Sequence, residues 1–144
     1  MVTHLTSRPK RVFVAASLYN DAERRFNASV AAALRAEGYN VWLPQEAPFI
    51  QKGTATEKRR IFEGDMEALK ESDLILAILD GAQVEEGVAF ELGVAFALGK
   101  QLLGLKTDYR SFSPIERVNL LLDVPIGRIH ESIDDLVRDL RKRF

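Results

Sequence analysis

At 144 residues, 47% hydrophobic and 28% charged, the chain has the length of one domain and enough apolar side chains for a continuous core. A formal net charge of −1 excludes the broad cationic field that holds nucleic acid or an anionic membrane, and runs such as Leu74–Leu79 are far too short to span a bilayer. With no cysteine, disulfides, thiolate catalysis and cysteine-bound metals drop out, and His4 and His130 alone make no histidine-rich metal cluster.

Residues 1–10 are polar and mixed; they read as a flexible tail without the apolar core of a signal peptide, ahead of one domain over 11–144. Arg11–Ser17 is β-branched and mostly apolar, as a strand covered on both faces should be. Asn20 with Glu23 forms a capping box, Phe26, Val30 and Leu34 recur at helical spacing, and Gly38 stops that helix. Val41–Leu43 reads as a short strand and Pro44–Gly53 as a loop and a lid. Thr54 with Glu57 opens a helix reaching to about Ser72. Asp73–Leu79 is the clearest strand, Asp80-Gly81 ends it, and a helix runs from about Glu85 to Leu98. Gln101–Leu105 is a fourth strand, Thr107–Ser113 a loop, and Pro114–Leu122 a helix begun by proline. Ile126–Ile129 reads as a fifth strand and Ser132–Arg143 as a final amphipathic helix. Its basic residues alternate with Asp139 and Leu140, which suits a solvated face better than a nucleic-acid contact.

Strands alternating with helices imply a single-domain α/β fold, a doubly wound, five-stranded parallel sheet of flavodoxin-like order 2-1-3-4-5. Ligands in such folds sit beyond the carboxyl ends of the strands. That rule directs attention to Ser17–Tyr19, Asp80–Gly87 and Thr107–Arg110. No phosphate loop, dinucleotide fingerprint or serine-nucleophile elbow is present; carboxylates are what remain.

Glu91 has Gly87, Val88, Val94 and Ala95 at three and four residues, so it lacks the helical ion pair that explains most helical glutamates. Its small neighbours admit a ligand, and its place near a helix N-terminus favours an ionised carboxylate, as a nucleophile needs. A solvated glutamate on a helix face is the alternative. Asp65 is likewise set among Ile61, Phe62, Ala68 and Leu69, where an aspartate needs water in a cleft, a hydrogen-bond partner or a ligand. Asp80 suits a site at a strand end, although Asp-Gly is also ordinary turn chemistry. Unpaired carboxylates around one cleft, without metal ligands, suit glycosidic-bond chemistry, one attacking and one protonating the leaving group.

Asp80-Gly81, Glu85-Glu86-Gly87-Val88-Ala89-Phe90-Glu91-Leu92-Gly93 and Ala97-Leu98-Gly99-Lys100 resemble the central signature of the nucleoside 2-deoxyribosyltransferase family. Lys106-Thr107-Asp108-Tyr109-Arg110, followed by Asn119, resembles a second block, and Val12–Tyr19 with Glu23 and Leu43-Pro44-Gln45 resemble the first strand and base-side loop. The resemblance, running from about Arg11 to Leu122, implies a pentosyltransferase that exchanges the base of a 2-deoxyribonucleoside through a covalent deoxyribosyl-glutamate. It implies Glu91 as nucleophile and Asp65 as the residue that handles protons on the base. It puts Glu85 by the sugar 5'-hydroxyl, where the family often has aspartate. It also implies that Phe13 and Gln45 line the base site and Tyr19 covers it, with Ser17, Asp80, Gly87, Asp108 and Arg110 around the substrate. Asn119 would reach a neighbouring subunit's sugar in a homo-oligomer, dimer or hexamer, with shared sites. The expected partners are a deoxyribonucleoside donor and a free purine or pyrimidine acceptor, in the cytoplasm, with no cofactor, metal, nucleic acid or membrane. An oxocarbenium-like centre forms more easily without a 2-hydroxyl, so ribonucleosides should be poor substrates.

Two alternatives compete with that reading. A related 2-deoxynucleoside 5-monophosphate N-hydrolase would bind a phosphate near Glu85. There a carboxylate repels it by about 4 kcal/mol for charges about 4 Å apart at an effective dielectric of about 20, partly offset by Lys106 or Arg110. A non-catalytic nucleotide-binding module is compatible with the fold but gains little from unpaired carboxylates.

Overall fold

A computed structural model of the protein describes residues 8–144. Residues 1–7 of the expected tail over 1–10 therefore lie outside the described residues. In chain order the elements are β1 (Arg11–Ala15), α1 (Asp21–Ala36), β2 (Asn40–Trp42), a single 3-10 turn (Pro44–Glu46), α2 (Ala55–Glu71), β3 (Leu74–Ile78), α3 (Glu86–Ala97), β4 (Gln101–Leu105), α4 (Leu120–Ile126), β5 (Ile129–His130) and α5 (Ile133–Arg143). The five strands are all parallel, in the order β2-β1-β3-β4-β5.

Two apolar layers follow from the period-2 alternation of strand side chains. Val12, Val14, Leu74, Leu76, Leu103 and Leu105 face one way, against α1 and α5 through Val30, Leu34, Leu136 and Leu140. Phe13, Ala15, Ile75, Ala77 and Leu102 face the other way, against α2, α3 and α4 through Leu69, Val88, Leu92 and Ile126. Covered on both faces, the central strands have no polar side, which is why they read as continuous apolar runs. No helix among the described residues is long and apolar enough to cross a membrane.

The segment after β4 departs from expectation. Pro114 does not begin a helix: residues 111–119 form turns in which Ser113 Oγ accepts from the backbone N–H groups of Ile115 (3.3 Å) and Glu116 (3.0 Å). The helix starts at Leu120, where Asn119 Oδ1 accepts from Leu121 N–H. It tolerates Pro125 and ends at Gly127, whose φ of 72° suits a residue without a side chain. The fifth strand is accordingly pushed from Ile126–Ile129 to Ile129–His130.

Candidate active site

Helix α3 begins beyond the carboxyl end of β3, and its cap and first two turns carry the carboxylates Glu85, Glu86 and Glu91. Glu85 caps it, with its side chain accepting from Val88 N–H at 3.1 Å. The carboxylate folds over Gly87, where an added Cβ would stand 3.0 Å from Glu85 Oε2. Glu91 follows on the second turn, half-buried, and Asp65 on α2 is also half-buried. Phe62 and Phe90 hold the two helices together, with ring centroids 6.1 Å apart.

Among the described residues, neither Glu91 nor Asp65 has a hydrogen-bond or ion-pair partner. Burial pushes the Glu91 carboxyl up to about 8, and the nearby charges of Asp65 and Glu85 add to the shift. The helix N-terminus expected to keep Glu91 ionised is thus outweighed by desolvation. Burial also raises Asp65 above the ordinary aspartate value. Tyr19, 73% exposed, stands at the mouth. Its phenol is raised by partial burial and then by Glu85, Glu86, Glu91 and Glu23, so it shares their space. At neutral pH Glu91 therefore keeps its proton while the cleft is empty, and Asp65 beside it has a proton affinity above the ordinary aspartate value. Such a pair can present one anion to an electrophilic carbon and one acid to a leaving group.

Beside Asp65 lies a cavity of about 280 Å³, lined by Trp42, Pro48, Arg60, Ile61 and Gly64 as well as Asp65 itself. A second cavity, about 290 Å³, lies at the start of α3 and includes Gly81, Phe112, Arg117 and Asn119 in its wall, but not Glu91.

Several of the expected residues are held in structural roles. Asp80 accepts from Thr107 N–H (2.6 Å), Thr107 Oγ1 (2.8 Å) and Asp108 N–H (3.1 Å). Asp108 in return accepts from Gly81 N–H at 2.8 Å, from Arg110 Nε at 2.5 Å and from Lys106 Nζ at 2.6 Å. Burial works against its charge, but Lys106, the Gly81 N–H and Arg110 together bring Asp108 down to about 2. Lys106 is wholly buried and also donates to the Gly81 carbonyl at 2.8 Å. Ser17 Oγ and Tyr19 N–H both donate to Glu23, which shapes the turn leading to Tyr19. Gln45 spans inward, donating to the Arg24 carbonyl (2.8 Å) and accepting from Asn27 (3.1 Å). Phe13 is fully buried in the layer beneath α2 and α3.

The structure therefore brings Glu91, Asp65, Glu85, Gly87 and Tyr19 together, and sets Asp80, Asp108 and Arg110 in a clamp behind them. Trp42 and Arg60 were not singled out from the sequence. The available signal was Gly64, a glycine in the middle of a helix that no turn explains.

Residues 12–137 match the family model for nucleoside 2-deoxyribosyltransferase. Among solved structures, a conserved protein from Enterococcus faecalis V583 is 28% identical with a TM-score of 0.79, over 94% of this chain and 99% of that one. A 2-deoxyribosyltransferase from Bacillus psychrosaccharolyticus is 22% identical with a TM-score of 0.76, over 88% of this chain and 90% of its own. A CMP N-glycosidase from Clostridium botulinum, 21% identical with a TM-score of 0.58, is covered over 94% of this chain and 100% of its own. The last two likenesses speak for the fold alone. No curated protein matches the chain. With nearly its whole length matched, the chain belongs to the nucleoside 2-deoxyribosyltransferase family.

Proposed function

We propose that the protein transfers 2-deoxyribose between nucleobases, with Glu91 as nucleophile and Asp65 as proton carrier. The observation that carries this reading is the pair itself. Two half-buried carboxyls on facing helices have no partner among the described residues, each has a raised proton affinity, and the charge of Asp65 adds to the shift of Glu91.

In the first half-reaction a Glu91 carboxylate oxygen bonds to C1' as the bond from C1' to the base nitrogen breaks. The base leaves with that electron pair and takes a proton from Asp65. In the second, a ring nitrogen of the incoming base bonds to C1', and the ester electrons return to Glu91. The acceptor's N–H proton passes to Asp65. Each half inverts C1', so the product keeps the β configuration of the donor. Positive charge developing on the sugar ring stabilises the Glu91 anion as bond breaking proceeds, which offsets the desolvation that disfavours it in the empty cleft.

A second copy of the chain completes this reading. Helix α3 has only Glu86 and Glu91 as charged residues, buries Val88, Leu92 and Ala95, and still exposes Phe90 and Phe96. Large aromatic side chains exposed on a helix that also buries an apolar face suit contact with a larger body than one chain supplies. Asn119, apart from Glu91 within one chain, then serves the site of a neighbour.

Incubation with 2-deoxyinosine, with and without adenine, tests the reading by chromatography. Deoxyadenosine and hypoxanthine should appear together, and Glu91→Ala should lower the rate by roughly 10³-fold or more. Free deoxyribose whether or not adenine is present would indicate a hydrolase instead. Turnover of deoxynucleoside monophosphates alone would likewise overturn the reading.

A further inference from the structure

The cavity beside Asp65 has two features that base exchange as such does not require. The first is Arg60. It follows Glu57 by three residues on α2, the spacing of a helical ion pair, yet no such pair forms. Glu57 is already engaged: its carboxylate accepts the N–H groups of Gln51 (2.6 Å), Lys52 (2.9 Å) and Gly53 (2.8 Å), closing the turn before α2. Arg60, exposed to solvent, acts on Glu57 only through its charge and forms no hydrogen bond or close ion pair among the described residues; it lines the cavity.

The second feature is Gly64, one turn further along the same helix and in the same wall. A helix-interior glycine costs about 1 kcal/mol relative to alanine. Here no close contact explains it, since an added Cβ would meet nothing within 4 Å. Its missing side chain widens the cavity instead. The opening lies between the apolar surfaces of Pro48 and Ile61 and the indole of Trp42, a shape suited to a flat ring.

We infer that this cavity selects 6-oxopurines and 4-oxopyrimidines over their 6-amino and 4-amino counterparts, with Arg60 as the specificity-determining residue and Gly64 keeping room for the ring. The inference rests on the reading of the protein as a base-exchanging enzyme. A guanidinium has five N–H donors and no acceptor. Opposite it, the carbonyl of a 6-oxopurine or a 4-oxopyrimidine completes a charge-assisted hydrogen bond. The exocyclic amine of adenine or cytosine puts donors where the guanidinium has only donors to offer.

The test uses the full chain in two assays. In the first, 2-deoxyguanosine is the donor, and hypoxanthine and adenine compete as acceptors. Hypoxanthine should be favoured about tenfold or more in kcat/KM. Arg60→Leu should bring the ratio close to one through a higher KM for hypoxanthine, and Arg60→Lys should recover part of it. Gly64→Leu should raise KM for both acceptors without lowering Tm. A wild-type preference for adenine, or an unchanged ratio in Arg60→Leu, would overturn the inference. The second assay measures calorimetric binding of each free base, which needs no turnover. Tighter binding of hypoxanthine, lost in Arg60→Leu, supports base selection even if no exchange occurs, in which case the proposed activity is what fails. Equal binding of both bases overturns the selection whatever the activity.

Discussion

Asp139 and Glu91 are the same chemical group in opposite circumstances. Asp139, on α5 and only 6% exposed, accepts from His130 Nε2 at 2.9 Å and Arg143 Nε at 2.8 Å and pairs with Arg128 at 3.1 Å. Burial works against its charge, but His130 and Arg143, with Arg128 adding to them, hold it below the ordinary aspartate value. Glu91 is similarly withdrawn from water but is given no cation and no donor, only two more carboxylates, and it rises to about 8. The first arrangement ties β5 to α5 and rewards folding. The second opposes folding and leaves a carboxylate with unmet demand, as a group meant to react should be.

The sharpest way to break this contrast is Glu91→Gln. Exchange should fall by roughly 10³-fold or more, because an amide cannot act as the nucleophile. Stability should move the other way. A carboxyl whose folded pKa is raised holds its proton in the folded state between 4.5 and about 8, while the unfolded chain has already released it. Its cost to stability is therefore absent below 4.5 and complete above about 8. Urea unfolding of the glutamine variant at pH 9 should show a gain of order 5 kcal/mol over wild type, vanishing near pH 4. A stability difference independent of pH would show that Glu91 carries no such cost.

Asp139→Ala should act in the reverse sense, lowering stability by about 3 kcal/mol in the same assay, because two arginines and His130 lose their shared acceptor. The exchange rate per folded molecule should stay within about twofold of wild type, since the side chains bonded to Asp139 are His130, Arg128 and Arg143, none of them placed in the cleft. A large fall in that rate with intact folding would erase the division between the two regions.

Asp65→Asn is the smaller but more diagnostic change. On the proposed mechanism one carboxyl of the pair must keep a proton, so kcat/KM should fall as pH rises past about 8 and that proton is lost. Removing Asp65 should cost roughly 10²-fold and leave Glu91 titrating alone. The slope between pH 6 and 8 should then turn upward, as more Glu91 becomes ionised. The same downward limb in the variant would show that Asp65 does not carry the proton.

Most of the fold was legible in the sequence because its strands are covered on both faces and their apolar runs have sharp ends. The capping boxes were legible only in part. Asn20 and Thr54 do accept from Glu23 N–H and Glu57 N–H, but both glutamates turn their carboxylates to the preceding loops. Pro114 misled because a proline that can start a helix can equally sit in a turn, and Ser113 captures the local N–H groups first. At the site, Glu91 and Asp65 stood out through missing partners at helical spacing. Arg60 did not, because Glu57 three residues earlier supplies an apparent partner, and only coordinates reveal that Glu57 is spoken for. Asp80 and Asp108 were read as substrate contacts, while the hydrogen bonds that occupy them run between loops far apart in the chain.

Those bonds have a consequence for how the sequence can change over time. Asp80 holds the backbone of residues 107 and 108, Asp108 holds the backbone of Gly81, and Lys106 binds the Gly81 carbonyl and Asp108 together. Each loop thus stores part of the instructions for the other, across a separation of 27 residues. A substitution at one end leaves its partners at the other without a purpose, and the two positions cease to be independent. Drift in either loop has to be answered in its counterpart, so the two segments are inherited as one unit although they are written apart.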